Sequence, residues 1–133
     1  MAYRTSVSIR DNAASHAGAT PILKMDFQNF FPSIRSRDWE NYCSKHGVFD
    51  EDDREISSRL LFRRAKDERV LKLSIGAPSS PALSNILLFD FDVRVAAEAE
   101  RRNITYTRYA DDLTLTCQRA DLKKSNHLRI ACR

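Results

Sequence analysis

Two adjacent carboxylates, Asp111 and Asp112, interrupt a run otherwise suited to a pleated sheet, from Ile104-Thr105-Tyr106-Thr107-Arg108-Tyr109 before them to Leu113-Thr114-Leu115-Thr116-Cys117 after. The β-branched and aromatic residues on both sides predict two strands, so Tyr109 to Asp112 reads as the tip of a β-hairpin. Such a turn can aim both carboxylates one way. Neighbouring carboxylates repel unless a cation lies between them, and hard oxygen ligands suit Mg²⁺, which keeps several waters and takes one or two carboxylates together with substrate phosphates. The chemistry this predicts is nucleotide transfer. The pair is also compatible with a solvated turn, where Asp is common, and the rest of the chain must separate the two.

A third acid is placed by a second strand. From Pro21 the segment Ile22-Leu23-Lys24-Met25-Asp26-Phe27 alternates with period two. That puts Leu23, Met25 and Phe27 on a core face and Ile22, Lys24 and Asp26 on the other. Asp26 is then an exposed acid or one wall of a cleft. Further on, Ser74-Ile75-Gly76-Ala77-Pro78-Ser79-Ser80-Pro81 is dense in Ser and Pro, and Ser80-Pro81 forms an N-cap and first-turn pair. One long helix is predicted from there, with Leu83, Ile86, Leu87 and Phe91 at helical spacing, fading near Arg101-Arg102-Asn103. A Gly-containing loop ahead of a helix lets phosphate or a nucleic-acid backbone approach closely.

The remaining elements are scaffolding. Met1 to Thr20 is polar, and Asp11 to Gly18 reads as loop or turn, with Asn12 a turn residue and His16 a surface histidine. After Phe30-Phe31-Pro32, Ser36 is the predicted N-cap of a helix through Trp39 and Tyr42 that stops at Gly47. A second helix starts near Asp50, its Glu51, Asp52 and Asp53 complementing the dipole, and continues through Ile56, Leu60 and Leu61 toward Arg63, Arg64 and Lys66. Val70 to Leu73 reads as a short strand.

A chain of 133 residues, 42% apolar and 30% charged, suffices for a domain with a modest core. Its net charge of +4 and pI near 9.1 point to a polyanionic partner. Residues 101–133 hold eight basic residues against three acidic ones, so positive charge gathers beside the carboxylate hairpin. A solvated polar tail would have the same composition. Cys43, Cys117 and Cys132 lack C-x-x-C spacing, which speaks against a disulfide framework and a zinc site and fits a reducing cytosol. No apolar run approaches the roughly 18 residues needed to span a bilayer, and no membrane association is expected.

Three segments in order resemble the palm of a reverse transcriptase: Lys24-Met25-Asp26-Phe27-Gln28-Asn29-Phe30-Phe31-Pro32-Ser33-Ile34, then Gly76-Ala77-Pro78-Ser79-Ser80-Pro81-Ala82-Leu83-Ser84-Asn85, then the Tyr109-Ala110-Asp111-Asp112 box. Asn12-Ala13-Ala14-Ser15-His16 resembles the Asn-Ala-x-x-His element of the retron branch. The likeness runs from about Ser8 to Cys117. It implies an α+β fold, a palm-like antiparallel sheet with packed helices, with fingers and thumb largely missing. The segments would be a polar stretch at 1–20, a palm core at 21–119 and a basic tail at 120–133.

The resemblance also implies roles. Asp26 and Asp111 would hold two Mg²⁺ ions, or Mn²⁺, with Asp112 completing the catalytic triad. Phe27, Phe31, Gly76, Ala77, Pro78 and Tyr109 would meet the nucleotide. Phe31, five positions after Asp26, would be the aromatic that excludes a 2′-hydroxyl, although a plain core phenylalanine is the competing reading. Asn12, His16, Ser79, Ser80, Asn85 and Arg108 would meet nucleic acid. The implied partners are deoxynucleoside triphosphates, a structured RNA serving as template and primer, its DNA product and a retron effector protein, in a bacterial cytoplasm and with a role in antiviral defence. Ile75 departs from the family's usual Gln before the loop glycine. Two other classes compete: a non-catalytic nucleic-acid-binding palm remnant, and a metal-dependent nuclease, which explains the carboxylates but not the loop-helix motif.

Overall fold

In chain order the elements are α1 (Ile9–Ala14), β1 (Ile22–Asp26), α2 (Phe30–Ser33), α3 (Ser36–His46), α4 (Glu51–Leu61), α5 (Ser80–Leu87), α6 (Phe89–Arg101), β2 (Ile104–Tyr109) and β3 (Asp112–Cys117). The computed structural model describes residues 8–19, 21–64, 66 and 69–117; the basic tail at 120–133 and Cys132 lie outside them. The mixture is α+β, as expected. Backbone contacts divide the chain into two compact units, one built from the chain up to Asp26 together with that from Asp90 onward, the other from Phe27 to Phe89.

The first unit is organised on a three-stranded antiparallel sheet of order β1-β3-β2. β2 and β3 form the predicted hairpin. Leu113, Thr114, Leu115 and Thr116 of the central strand are buried without alternation, so both faces of β3 are covered. β1 is an edge strand. Leu23 and Met25 pair with the buried Leu115 and Leu113, but Leu23 remains 39% exposed. The face of β1 expected to enter the core is therefore only partly covered, because an edge strand has a neighbour on one side alone.

Of the segment expected to be loop or turn before β1, Asp11 to Ala14 belong to the helix α1, and Ser15 to Gly18 form the expected turn. The Ser8 hydroxyl accepts from the Asp11 amide at 3.2 Å and the Asp11 carboxylate accepts from the Ser8 amide at 2.7 Å. This reciprocal box satisfies two end donors that a short helix otherwise leaves open.

In the second unit Phe30, Ile34, Trp39, Cys43, Phe62, Leu73 and Leu83 form the core. α3 packs on α4 and α5. The cap of α3 falls on Arg35, one residue before the predicted Ser36, and the helix ends at Gly47 with φ +61, a left-handed position that glycine adopts cheaply. Asp50 caps α4 through the Asp53 amide. Ile56 and Leu60 of α4 are exposed, and Leu61 packs against the core. Arg63 lies beyond the helix and pairs with Lys72 as an isolated bridge, so Val70 to Leu73 is not the strand that was expected. The single long helix is also two, α5 and α6, parted at Leu88. Burial raises the Cys43 thiol above its usual pKa, which keeps it protonated and inert.

Candidate active site

Tyr109 pairs with Asp112, leaving Ala110-Asp111 as a two-residue hairpin connection. Ala110 has φ +55, a left-handed backbone that residues other than glycine seldom adopt. A non-glycine residue held there costs on the order of 1 kcal/mol, and the surroundings must impose it. Arg108 Nη1 donates to the Ala110 carbonyl at 2.8 Å. Arg108 as a whole is 2% exposed. Its Nε donates to both oxygens of Asp92 on α6 at 2.9 and 3.1 Å, and its Nη2 to Oδ2 at 2.6 Å. Tyr106 Oη donates to Asp92 Oδ1 at 2.8 Å, and burial together with that bond pushes the phenol far above its ordinary pKa. Arg108 was expected to meet nucleic acid. Burial and a full set of internal acceptors make it an internal strut instead.

The carboxylates are placed by register. Asp26 is the direct partner of Asp112 across β1 and β3, so the two side chains share one face at the end of the pair, with Cβ atoms about 4.5–5.5 Å apart. Asp111 adjoins them in the turn. The resemblance joined Asp26 chiefly with Asp111; the backbone pairing sets it opposite Asp112. Among the described residues no three His, Cys, Asp or Glu side chains form a ready metal cage. The donor set of two facing carboxylates with a third adjoining still fits Mg²⁺, which leaves much of its shell to waters and phosphate oxygens.

Lys24, Thr114, Thr107 and Tyr109 lie on the same sheet face by the pairing register. A cavity of about 660 Å³ opens between that face and α1, lined in part by Asn12, His16, Lys24, Tyr109, Asp112 and Thr114. His16 is 7% exposed rather than a surface residue. Its Nδ1 lies 2.8 Å from Thr116 Oγ1 and its Nε2 2.7 Å from Thr107 Oγ1. A neutral imidazole donates from one nitrogen and accepts at the other, and a hydroxyl can complement either. His16 thus clasps the α1 segment to two strands, and both its nitrogens are engaged within the protein.

Burial lowers the His16 pKa. A depressed folded value means that the stability this group adds is present above its unfolded pKa, about 6.5, and is lost as pH falls through the folded one. His16→Ala is expected to cost about 1–3 kcal/mol at pH 7.5 by stranding threonine hydroxyls, and the gap from the parent should narrow at pH 5.5. Urea unfolding of both chains at the two pH values checks this; a gap that widens in acid would contradict the clasp.

The other predicted residues belong to the second unit. Ser80 is fully buried, and its hydroxyl donates to the Ser74 carbonyl at 2.6 Å. It braces the loop and is not available to nucleic acid. Gly76 sits at φ +84 in an exposed turn that requires a glycine-like backbone. Ile75 and Pro78 are exposed, while Ala77, Ser79 and Asn85 are half-buried. Phe27 and Phe31 pack half-buried against the core cluster, Phe31 with its ring centroid 5.2 Å from that of Phe30.

Asp92 was not singled out from the sequence. Its signal was an acid one helical repeat from Leu88 and seven residues before the buried Ala99, on a face that is otherwise apolar.

A carboxylate pair stands at the end of two antiparallel strands, with the Asp92–Arg108–Ala110 contacts on the opposite sheet face. Residues 1–131 match the family described as Reverse transcriptase (RNA-dependent DNA polymerase), and the chain belongs to that family. It is similar to the Retron Ec83 reverse transcriptase of Escherichia coli, 32% identical over 132 residues, which cover 97% of this chain and 42% of that one. The Retron Mx162 reverse transcriptase of Myxococcus xanthus is 38% identical over 135 residues, covering 88% and 26%. The Retron Ec86 reverse transcriptase of Escherichia coli is 41% identical over 120 residues, covering 89% and 35%. The retron-type resemblance seen in the sequence is thus borne out, and the family is one of RNA-directed DNA polymerases. This chain spans less than half the length of each of these relatives. Among the described residues no helix is long and apolar enough to cross a membrane.

Proposed function

We propose that the chain carries the catalytic palm of a retron-type RNA-directed DNA polymerase, which transfers nucleotidyl groups from deoxynucleoside triphosphates to a primer on an RNA template. The observation that carries this reading is the β1–β3 register, which sets Asp26 opposite Asp112 with Asp111 in the adjoining turn. Like charges directly opposite destabilise a sheet, so such a pair is best explained by a cation. Asp26 and Asp111 would hold two divalent ions, Mg²⁺ or Mn²⁺, with Asp112 completing the set. Bound there, such ions activate a primer 3′-hydroxyl and neutralise charge on the leaving pyrophosphate. The chain's own contribution is positional. β1 and β3 set the spacing of the acids, the Ala110 turn sets their direction, and Lys24, on the same face as Asp26, offers a cation to phosphate. A structured RNA serving as template and primer, and a retron effector protein, are the partners this function implies.

The test is extension of a primed RNA template with labelled deoxynucleotides by this chain, in Mg²⁺ and in Mn²⁺. In any form of the protein that extends the primer, Asp111→Asn is expected to abolish the metal-dependent synthesis. Salt-sensitive retention of RNA with no incorporation would replace the polymerase reading with a binding one.

Phe31 is assigned the selection of deoxynucleotides. Phe31→Ala is then expected to admit ribonucleotides while the fold survives. The opposite result, a loss of about 3–5 kcal/mol with no change in sugar preference, is what a core phenylalanine gives. Melting curves beside ribonucleotide incorporation distinguish them.

A further inference from the structure

We infer that Asp92 is a positioning residue for the carboxylate-bearing hairpin tip, acting through Arg108 on the backbone of Ala110. The inference rests on the reading of Asp111 and Asp112 as metal ligands. The planar fork of Arg108 reaches both Asp92 and the turn. Nε and Nη2 are committed to the Asp92 carboxylate, which leaves Nη1 pointing at the Ala110 carbonyl. A guanidinium is rigid, so fixing one edge on Asp92 fixes where the other edge presents its donor. Ala110 is the residue forced to positive φ, and it immediately precedes Asp111.

The anchor is itself fixed. Asp92 is 5% exposed on α6 and accepts a further bond from Tyr106, two residues before Arg108 on the same face of β2. A carboxylate holding two side chains of one strand cannot rotate without breaking bonds to either. The chain of contacts therefore runs from the helix to the strand to the turn, on the opposite sheet face from Asp26 and Asp112. Outer groups of this kind orient metal ligands without touching the metal, and their loss weakens metal affinity by about 10-fold to 100-fold.

The test uses the double variant Asp92→Leu/Arg108→Met in the whole chain, because an apolar pair of similar volume replaces a buried ion pair without leaving an unpaired charge. Three measurements are made: the melting temperature, Mn²⁺ binding, and the strong intraresidue amide-to-Hα NMR contact that marks positive φ at Ala110. The expected result is a protein that still unfolds cooperatively, above Asp92→Ala and somewhat below the parent because Tyr106 loses its acceptor, with loss of the positive-φ signature and Mn²⁺ binding weakened at least about tenfold with all three carboxylates present. Arg108→Lys is the second variant, keeping the charge beside Asp92 but lacking the fork. It is expected to show the same loss of turn signature even if the double variant does not fold. A parental turn signature and parental Mn²⁺ affinity in a folded variant overturn the inference. If the parent chain binds no Mn²⁺, the metal reading fails, while the turn signature still decides whether Asp92 and Arg108 set the turn.

Discussion

Asp112→Asn is expected to raise the melting temperature in metal-free buffer and, in the same protein, to abolish nucleotide incorporation. The two effects have one origin. Asp26 and Asp112 are direct partners at the end of the β1–β3 pair, and directly opposed like charges cost a sheet roughly 0.2–1 kcal/mol. An amide of the same size removes the repulsion and keeps the shape. In a unit this small the gain amounts to a few degrees. Added Mg²⁺ should reverse the order, because a ligand that binds only the folded parent stabilises it in proportion to the logarithm of its concentration over Kd. Where nucleotide is incorporated, the rate is expected to fall by orders of magnitude, since the acid proposed to complete the ion-holding set has lost its charge. Melting in chelator and in Mg²⁺, beside a primer-extension assay, checks both. A variant that incorporates at the parental rate, or melts below the parent without metal, contradicts the facing pair.

Asp92→Ala is expected to be among the most destabilising single changes in the first unit. Arg108 is enclosed and always charged. Without its carboxylate it is a buried cation that has lost the acceptor of its Nε and Nη2, and breaking a buried pair from one side costs about 3–5 kcal/mol. Tyr106 loses its acceptor as well. Against a total stability of about 5–15 kcal/mol for a domain, that is enough to leave a sizeable unfolded fraction. Urea denaturation of Asp92→Ala beside the apolar double variant gives the measure. The single change should be the far weaker protein. Comparable midpoints would mean that water reaches Arg108 and that the pair is not sealed.

The hairpin, the strand at Ile22 and the helices capped near Ser36 and Asp50 were legible in the sequence because each is written in a short window. Period-two alternation, a capping side chain and a terminal glycine act over a few residues. The same parity put Lys24 and Asp26 on one face. The three acids and the family resemblance were visible for the same reason, since they are residue types at fixed spacing.

What only the tertiary structure decided concerns partners far apart in the chain. Which acid faces Asp26 is a matter of register between strands some 85 positions apart, and a one-residue slip would present the other face. His16 looked like a surface residue because the threonines that receive it lie 91 and 100 positions away. Arg108, beside two carboxylates in a basic chain, had the composition of a phosphate contact. Its use is set by Asp92, which arrives on a helix sixteen residues earlier. Leu88 carries no Pro or Gly to announce a break, yet α5 ends there. Local patterns determine which elements can form and which side chains share a face. Whether a charged side chain meets solvent or a buried partner depends on what packs over it, and that is settled only when distant segments come together.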